Sequence, residues 1–216
     1  KFMTVFINGI LSRPSTHIKN IYSNAMMPAI RMVESAGAAA IGTARRGLGL
    51  GMDEQYYFTE NVSKLTASVQ AVKDGFKMAS HAFKEGYSSN VTDTTKIEFT
   101  KARYEIFDYK ADNPLASILK SVNYVATLPG RSLLVADEFF KGINYRFELE
   151  GLATRNGINA MNDGLKAGKS SDEASKLFDD AVDNTYNNPP KDLTTLSQEA
   201  TFTKPMEEGL VKTLQT

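Results

Sequence analysis

The chain's two histidines, His17 and His81, are poorly placed for metal or acid–base work. Neither has a second histidine one helical turn away, as zinc and di-iron motifs require. His81 lies four residues before Glu85, which makes one pair and not a ligand set. The carboxylates of Asp137 and Glu138 are adjacent, and those of Glu148 and Glu150 are two apart, so neither pair shares a helix face. Asp137 with Lys141 and Arg146 with Glu150 stand at i,i+4, the spacing of helix-stabilising ion pairs. Gly47-Leu48-Gly49-Leu50-Gly51 lacks both the GxGxxG spacing of a dinucleotide loop and the Gly-Lys-Ser/Thr of a P-loop. Asn159 to Gly164 fails as a calcium loop, because Met161 holds a ligand position and no glutamate falls at the twelfth. Cysteine is absent, which removes disulfides, thiolate metal sites and thiol catalysis. These residues assign no catalytic, cofactor-binding or metal-binding role, and the chain reads as non-enzymatic.

Charge narrows the partners. The chain has 25 basic and 25 acidic residues, no electrostatic basis for tight nucleic-acid binding. Arg13, His17, Lys19, Arg31, Arg45 and Arg46 give the first 46 residues a positive bias, a weak pointer to DNA or an anionic membrane. Asn61-Val-Ser and Asn90-Val-Thr match the glycosylation pattern, which has meaning only on secretion. No signal-peptide arrangement is present. The small-residue tract from Ala36 to Met52 is interrupted by Arg45–Arg46, short of the roughly 20 apolar residues a spanning helix needs. It suits a bilayer surface or close packing against another helix.

What elements position these residues? The clearest periodicity runs from Glu60 to Glu85. There Val62, Leu65, Val69, Val72, Phe76, Ala79 and Phe83 alternate spacings of three and four, the 3.5-residue repeat of a coiled-coil seam. Glu60, Lys64, Lys73, Lys77 and Lys84 fall off that stripe. The pattern predicts one helix of about six turns, with Thr59 as N-cap and Gly86 as the stop. Its narrow apolar face needs a partner helix, from this chain or another. A short helix over 2–11 should end before Pro14. A second, from Ser15 to Arg46, carries Ile18, Ile21, Ala25, Ala29, Met32, Ala36 and Ala40 at three/four spacing, with a kink or break at Pro28. Gly47–Gly51 then punctuates the chain.

Residues 87–113 read as an extended arm with a hint of a strand. Asn113-Pro114 starts a helix that runs to about Ala126. Pro129 starts another, to about Leu165, with Leu133, Ala136, Phe140, Ile143 and Phe147 on one stripe and Val135, Phe139 and Leu149 beside it. Gly142, Gly151 and Gly157 weaken that helix by up to about 1 kcal/mol each and suit a close backbone neighbour. Ser170 to Glu173 forms a capping box before Ala174, Leu177, Phe178, Ala181 and Val182, and Pro189-Pro190 ends that helix. The expectation is a mainly α, elongated bundle of about six helices. It divides into an N-terminal helical region (1–86), an arm (87–113), a C-terminal helical region (114–190) and an irregular tail (191–216).

Three stretches resemble a known family. Phe6-Ile-Asn-Gly-Ile-Leu-Ser-Arg-Pro-Ser-Thr-His-Ile-Lys-Asn-Ile-Tyr-Ser-Asn24 resembles a segment of very large phage proteins with an asparagine, then Leu-Ser-x-Pro-x-Thr and Asn-x-x-x-Asn. Leu128-Pro-Gly-Arg-Ser-Leu-Leu-Val-Ala-Asp-Glu-Phe-Phe-Lys-Gly-Ile-Asn-Tyr-Arg146 is similar to a later signature of the same proteins, and Ala200-Thr-Phe202 to a recurring Ala-Thr-Phe near the end. The order and spacing agree, and the three bracket nearly the whole chain, whereas 55–113 matches only as a helix and a variable arm. These are the large internal virion or DNA-ejection proteins of tailed bacteriophages, some with lytic transglycosylase or polymerase domains elsewhere.

The resemblance implies a structural segment of a longer polypeptide, in the capsid interior or near the portal and, after ejection, in the host cell envelope. Its partners would be other virion proteins, copies of itself, or portal and ejection-complex proteins, with weak contact to DNA or host membrane. Alternatives are an accessory domain flanking a virion-packaged RNA polymerase or peptidoglycan-cleaving enzyme, and a membrane-active conduit module. Asp137, Phe140, Lys141, Asn144 and Arg146 are its assembly or packing candidates. The motifs carry no catalytic residue onto this chain.

Overall fold

Proline opens the first helix at Pro14, left-handed glycines (Gly49 and Gly86) follow the ends of the first two helical regions, and a long glycine-bearing helix receives them. A computed structural model of the protein describes residues 6, 8–10, 12–49, 56–86 and 114–200, and among these all regular structure is α-helical. The mainly α architecture read from the sequence is therefore what forms. After a helical turn at 8–10 come α1 (Pro14–Gly47), α2 (Phe58–Thr66), α3 (Ser68–Glu85), α4 (Pro114–Lys166), α5 (Ser171–Asn187) and α6 (Asp192–Ala200). α4 is the spine, and each of the other five helices packs on it. The expected arm, 87–113, and the tail from 201, including Leu210–Leu214, lie outside the described residues.

Four expectations about element boundaries are corrected. α4 is one helix of 53 residues and continues through Pro129, where a break between Ala126 and Pro129 was expected. Proline removes one backbone donor there, and the ladder is rewired around it. The Gly130 amide donates to the buried Asn8 side chain at 3.1 Å, and the Thr127 hydroxyl donates to the Asn123 carbonyl at 2.8 Å. Side chains that re-satisfy freed backbone groups let a helix pass a proline. α1 likewise runs through Pro28, with Asn24, one turn earlier, tied to α4.

The expected single helix over Glu60–Glu85 is two. Ala67 (φ −79°, ψ −1°) separates α2 from α3, and hydroxyls of Ser63 and Thr66 bond to nearby carbonyls there. Such local bonds compete with the helical ladder. The first cap is Tyr57, not Thr59: the Glu60 carboxylate reaches back to accept the Tyr57 amide at 2.8 Å. Finally, the expected tail begins with a helix, α6. By contrast Gly86 ends α3 at φ 74°, and Ser170 and Glu173 cap α5 reciprocally, as their sequence signals require.

The sequence left open whether the apolar face over Glu60–Glu85 meets this chain or another, and the structure shows which face is buried. On α2 and α3 the three/four stripe points outward except at the buried Ala79, with Val69 67 % and Phe76 63 % exposed, while Glu60 is fully buried. The inward face is Asn61, Lys64, Ala71, Gly75, Ala79 and Ala82. α1 repeats the theme: Ile18, Ile21 and Val33 face out, and Asn24, Ser35, Ala39 and Gly42 face in. The physical reason is distance of approach. A Cβ placed on Gly142 would lie 2.7 Å from the Gly75 Cα, so α3 and α4 meet backbone to backbone. Small residues permit that approach, and large apolar ones on the same face would wedge the helices apart. Gly151, Gly157 and Gly164 do the same for Lys64, Phe178 and Leu177.

Opposite outcomes follow for two helical glycines. Gly142→Ala should destabilise the fold by about 1–3 kcal/mol, because the added methyl must push two backbones apart. Gly37→Ala, with open space around its Cβ, should stabilise by about 0.5–1 kcal/mol. Urea denaturation of both variants checks the contrast.

Candidate assembly site

Two of the family-like stretches meet. Asn8 of the first motif accepts the amide of Gly130 in the second, and Asn20 and Asn24 each donate to Asp137 Oδ1 at 2.8 Å. The Asn24 amide also donates to Asn20 Oδ1 at 2.8 Å, so the i,i+4 pair on α1 acts as one clamp on the carboxylate. The spacing explains the clamp, since residues four apart on a helix project side by side. α6 packs on α1 and α4, and Arg31 donates to the Leu196 carbonyl; of the third motif, Thr201 and Phe202 lie outside the described residues.

The five candidate residues share α4 but not one surface. Asp137 faces α1 and is buried. Lys141, buried too, donates to Glu138 Oε1 at 2.6 Å, a contact at i,i+3. Asn144 is 1 % exposed, and its Nδ2 has no hydrogen-bond partner. Arg146 turns to α3, donating to Asp74 Oδ2 at 2.7 Å, and keeps the anticipated i,i+4 partner Glu150 at 3.4 Å. Phe140 stacks edge-to-face on Phe139 and lines an apolar groove of about 500 Å³. Three buried polar residues, a half-buried arginine bridging to α3 and one aromatic wall of the groove are what the geometry assembles.

A longer polar seam surrounds them. Arg155 takes both oxygens of the fully buried Glu60 (3.0 and 2.8 Å) while its guanidinium stacks 3.9 Å over the Tyr56 ring. Glu148 joins three helices, accepting Arg31 of α1 at 3.2 Å with Lys64 of α2 at 3.8 Å. Tyr186 of α5 donates to Glu150 at 2.6 Å, and partial burial and that carboxylate push its hydroxyl up to about 12. Glu60 and Lys64 looked in sequence like a solvated flank, and Asn20, Asn24, Glu148 and Arg155 carried no chemical motif. Their one legible signal was the Asn-x-x-x-Asn spacing.

Among the described residues no group of three or more histidine, aspartate or glutamate side chains is gathered to hold a metal ion. No described helix is long and apolar enough to cross a membrane. Compared with known proteins, the chain matches no family model, no curated protein and no solved structure.

Burial pushes the Asp137 carboxyl up from 3.8 to about 6, against the opposing pull of Asn20, Lys141 and Asn24; Glu138 adds to the rise. The folded chain thus binds that proton more tightly than the unfolded chain. The stabilising contribution is full below about pH 4 and lost as pH rises through about 6, amounting to about 3 kcal/mol across that window. Asp137→Asn should flatten this part of the pH–stability curve, measured as the difference between the two proteins in denaturant at pH 4, 5, 6 and 7. A separate cost attaches to Arg155→Ala. It strands the Glu60 carboxylate and should destabilise by about 3 kcal/mol or more in the same assay.

Proposed function

We propose that this chain is a helical assembly segment of a bacteriophage inner-virion protein, part of a longer polypeptide that is packaged in the particle and takes part in genome ejection. The observation that carries the reading is the meeting of the motifs. The asparagines of the first stretch clamp the aspartate and glycine of the second, so the residues that carry the resemblance form one joint at the spine. A joint of this kind fixes the relative position of α1 and α4, which is structural work.

The outward apolar side chains support the assembly part of the reading. Monomeric soluble proteins rarely expose contiguous apolar patches beyond a few hundred Å². Here Val62, Leu65, Val69 and Phe76 on one side and Ile118, Val122 and Val125 on another stand exposed in rows. Neighbouring virion proteins, portal components or further copies of the chain would cover them.

A membrane-active conduit is the second reading, favoured by one observation: α1 exposes Ile18, Tyr22, Val33 and Ile41 and ends on Arg45 and Arg46. Such a helix could lie along an anionic bilayer. Flotation with phosphatidylglycerol vesicles separates the two, since binding abolished by Ile18→Glu and Val33→Glu would favour the membrane role.

The direct test is mass spectrometry of purified phage particles. Peptides of this chain should be found in the virion, joined to flanking sequence of a longer protein. Peptides confined to host-cell fractions and missing from particles would overturn the reading.

A further inference from the structure

We infer that the outward stripe of α2 and α3 is a self-complementary interface, on which a second copy of this chain docks through the same two helices running antiparallel. The inference rests on the assembly reading only in taking the apolar faces to be covered by protein.

The first support is continuity. Although Ala67 interrupts the helix, its amide still reaches the Ser63 carbonyl (2.9 Å) and its carbonyl still receives the Ala71 amide (2.8 Å). The three/four register therefore passes from α2 into α3, with Val62, Leu65, Val69, Val72, Phe76 and Phe83 exposed along it and the buried Ala79 lining the groove between Phe76 and Phe83. Such spacing keeps a seam facing one partner helix over its whole length.

Area gives the second. Together with Phe58, 67 % exposed at the start of α2, those side chains offer roughly 800 Å², the area each partner contributes to a standard stable interface. Charge gives the third. The positions flanking the seam, where interhelical ion pairs select partners, are Thr59, Thr66, Ser68, Lys73 and Ser80, with one charge among them. Two like copies therefore meet without repulsion, and no oppositely charged partner is specified.

Shape sets the direction. At the C-terminal end of the stripe, Phe76 and Phe83 form one wall of the 500 Å³ apolar groove, and Val135, Phe139 and Phe140 of α4 form the other. At the N-terminal end Phe58 protrudes. A knob at one end and a hole at the other, on the same face, is satisfied by antiparallel pairing, in which each Phe58 enters the other copy's groove. The two-fold axis then falls near Val69, about midway between knob and hole. The contact is isologous and closes at two copies.

The chain has no cysteine, so introduced thiols report without background. Val69→Cys should form a disulfide-linked dimer under mild oxidation, since residues at the axis come within the Cα separation of about 4–7 Å that a disulfide needs. Val62→Cys should not link to itself, but mixed with Phe76→Cys it should give the heterodimer. Sedimentation of the unmodified chain should show a dimer at tens of micromolar that Val69→Glu converts to monomer, with helicity unchanged by circular dichroism. A monomeric mass throughout, or Val62→Cys self-linking as readily as Val69→Cys, would overturn the inference. So would stripe-dependent flotation of a monomer on phosphatidylcholine–phosphatidylglycerol vesicles, which assigns the face to lipid. Because these measurements use the purified chain, a monomer here leaves the virion test untouched, and absence from virions leaves the dimer untouched.

Discussion

A polar group taken out of water must find a partner or leave a cost of about 1–3 kcal/mol, and α4 carries an unusual number of such groups into the interior. Asp137, Glu138, Lys141 and Asn144 are all buried within eight residues of helix. Glu138 and Lys141 pair with each other one turn apart, while partners for others in the row come from elsewhere in the chain: Asn20 and Asn24 of α1 for Asp137, Asp74 of α3 for Arg146, Glu60 of α2 for Arg155 and Tyr186 of α5 for Glu150. Each such bond has a direction and a reach, so it fixes register as well as contact. The packing of α1, α2, α3 and α5 on the spine follows from meeting those requirements. Among the described residues the buried apolar side chains are largely alanines, joined by Leu134, Ile143, Leu149 and Leu193, with Leu134 against Ala82.

Small residues make the seam geometrically attainable. Short side chains such as asparagine and aspartate reach each other between helices when the backbones lie close, and Gly75 against Gly142 brings them there. The consequence is that on the closely packed faces of α1, α2 and α3 small and polar residues turn inward and many large apolar side chains stand on the outer faces, while Leu134, Leu149 and Leu193 are buried. Stability within the chain and association beyond it are thereby separated: polar seam and small residues inside, apolar stripes outside. A protein arranged this way has surfaces prepared for neighbours without needing to unfold to expose them.

Much of the secondary structure was legible in the sequence, because caps and stops are local chemistry. Ser170 with Glu173, Gly86 and Pro189-Pro190 each act through bonds spanning four residues or fewer. The break expected at Pro129 failed because its compensation is distant: Asn8 lies more than a hundred residues from Gly130, and no local pattern announces it. Apolar periodicity located the stripe on α2 and α3 but not its direction. Periodicity says that one face is apolar, and the usual inference that this face turns inward presumes a self-sufficient core. Among the candidate residues, Arg146 with Glu150 followed from spacing alone. The clamp on Asp137 and the triple junction at Glu148 required the tertiary fold, because both partners of each contact are ordinary residues of ordinary helices.

The claim that polar contacts hold the chain while its large apolar residues look outward is tested most directly by comparing two single substitutions of opposite kind in dilute solution. Asn24→Ala removes a buried clamp residue and Val33→Glu puts a charge on an outward apolar position; the free energy of unfolding of each is measured in urea. The account predicts a loss of about 1–3 kcal/mol for Asn24→Ala, as for other buried hydrogen-bonding groups, and a change within about 0.5 kcal/mol for Val33→Glu. A silent Asn24→Ala with a severely destabilised Val33→Glu would mean that the apolar faces turn inward, and would contradict it.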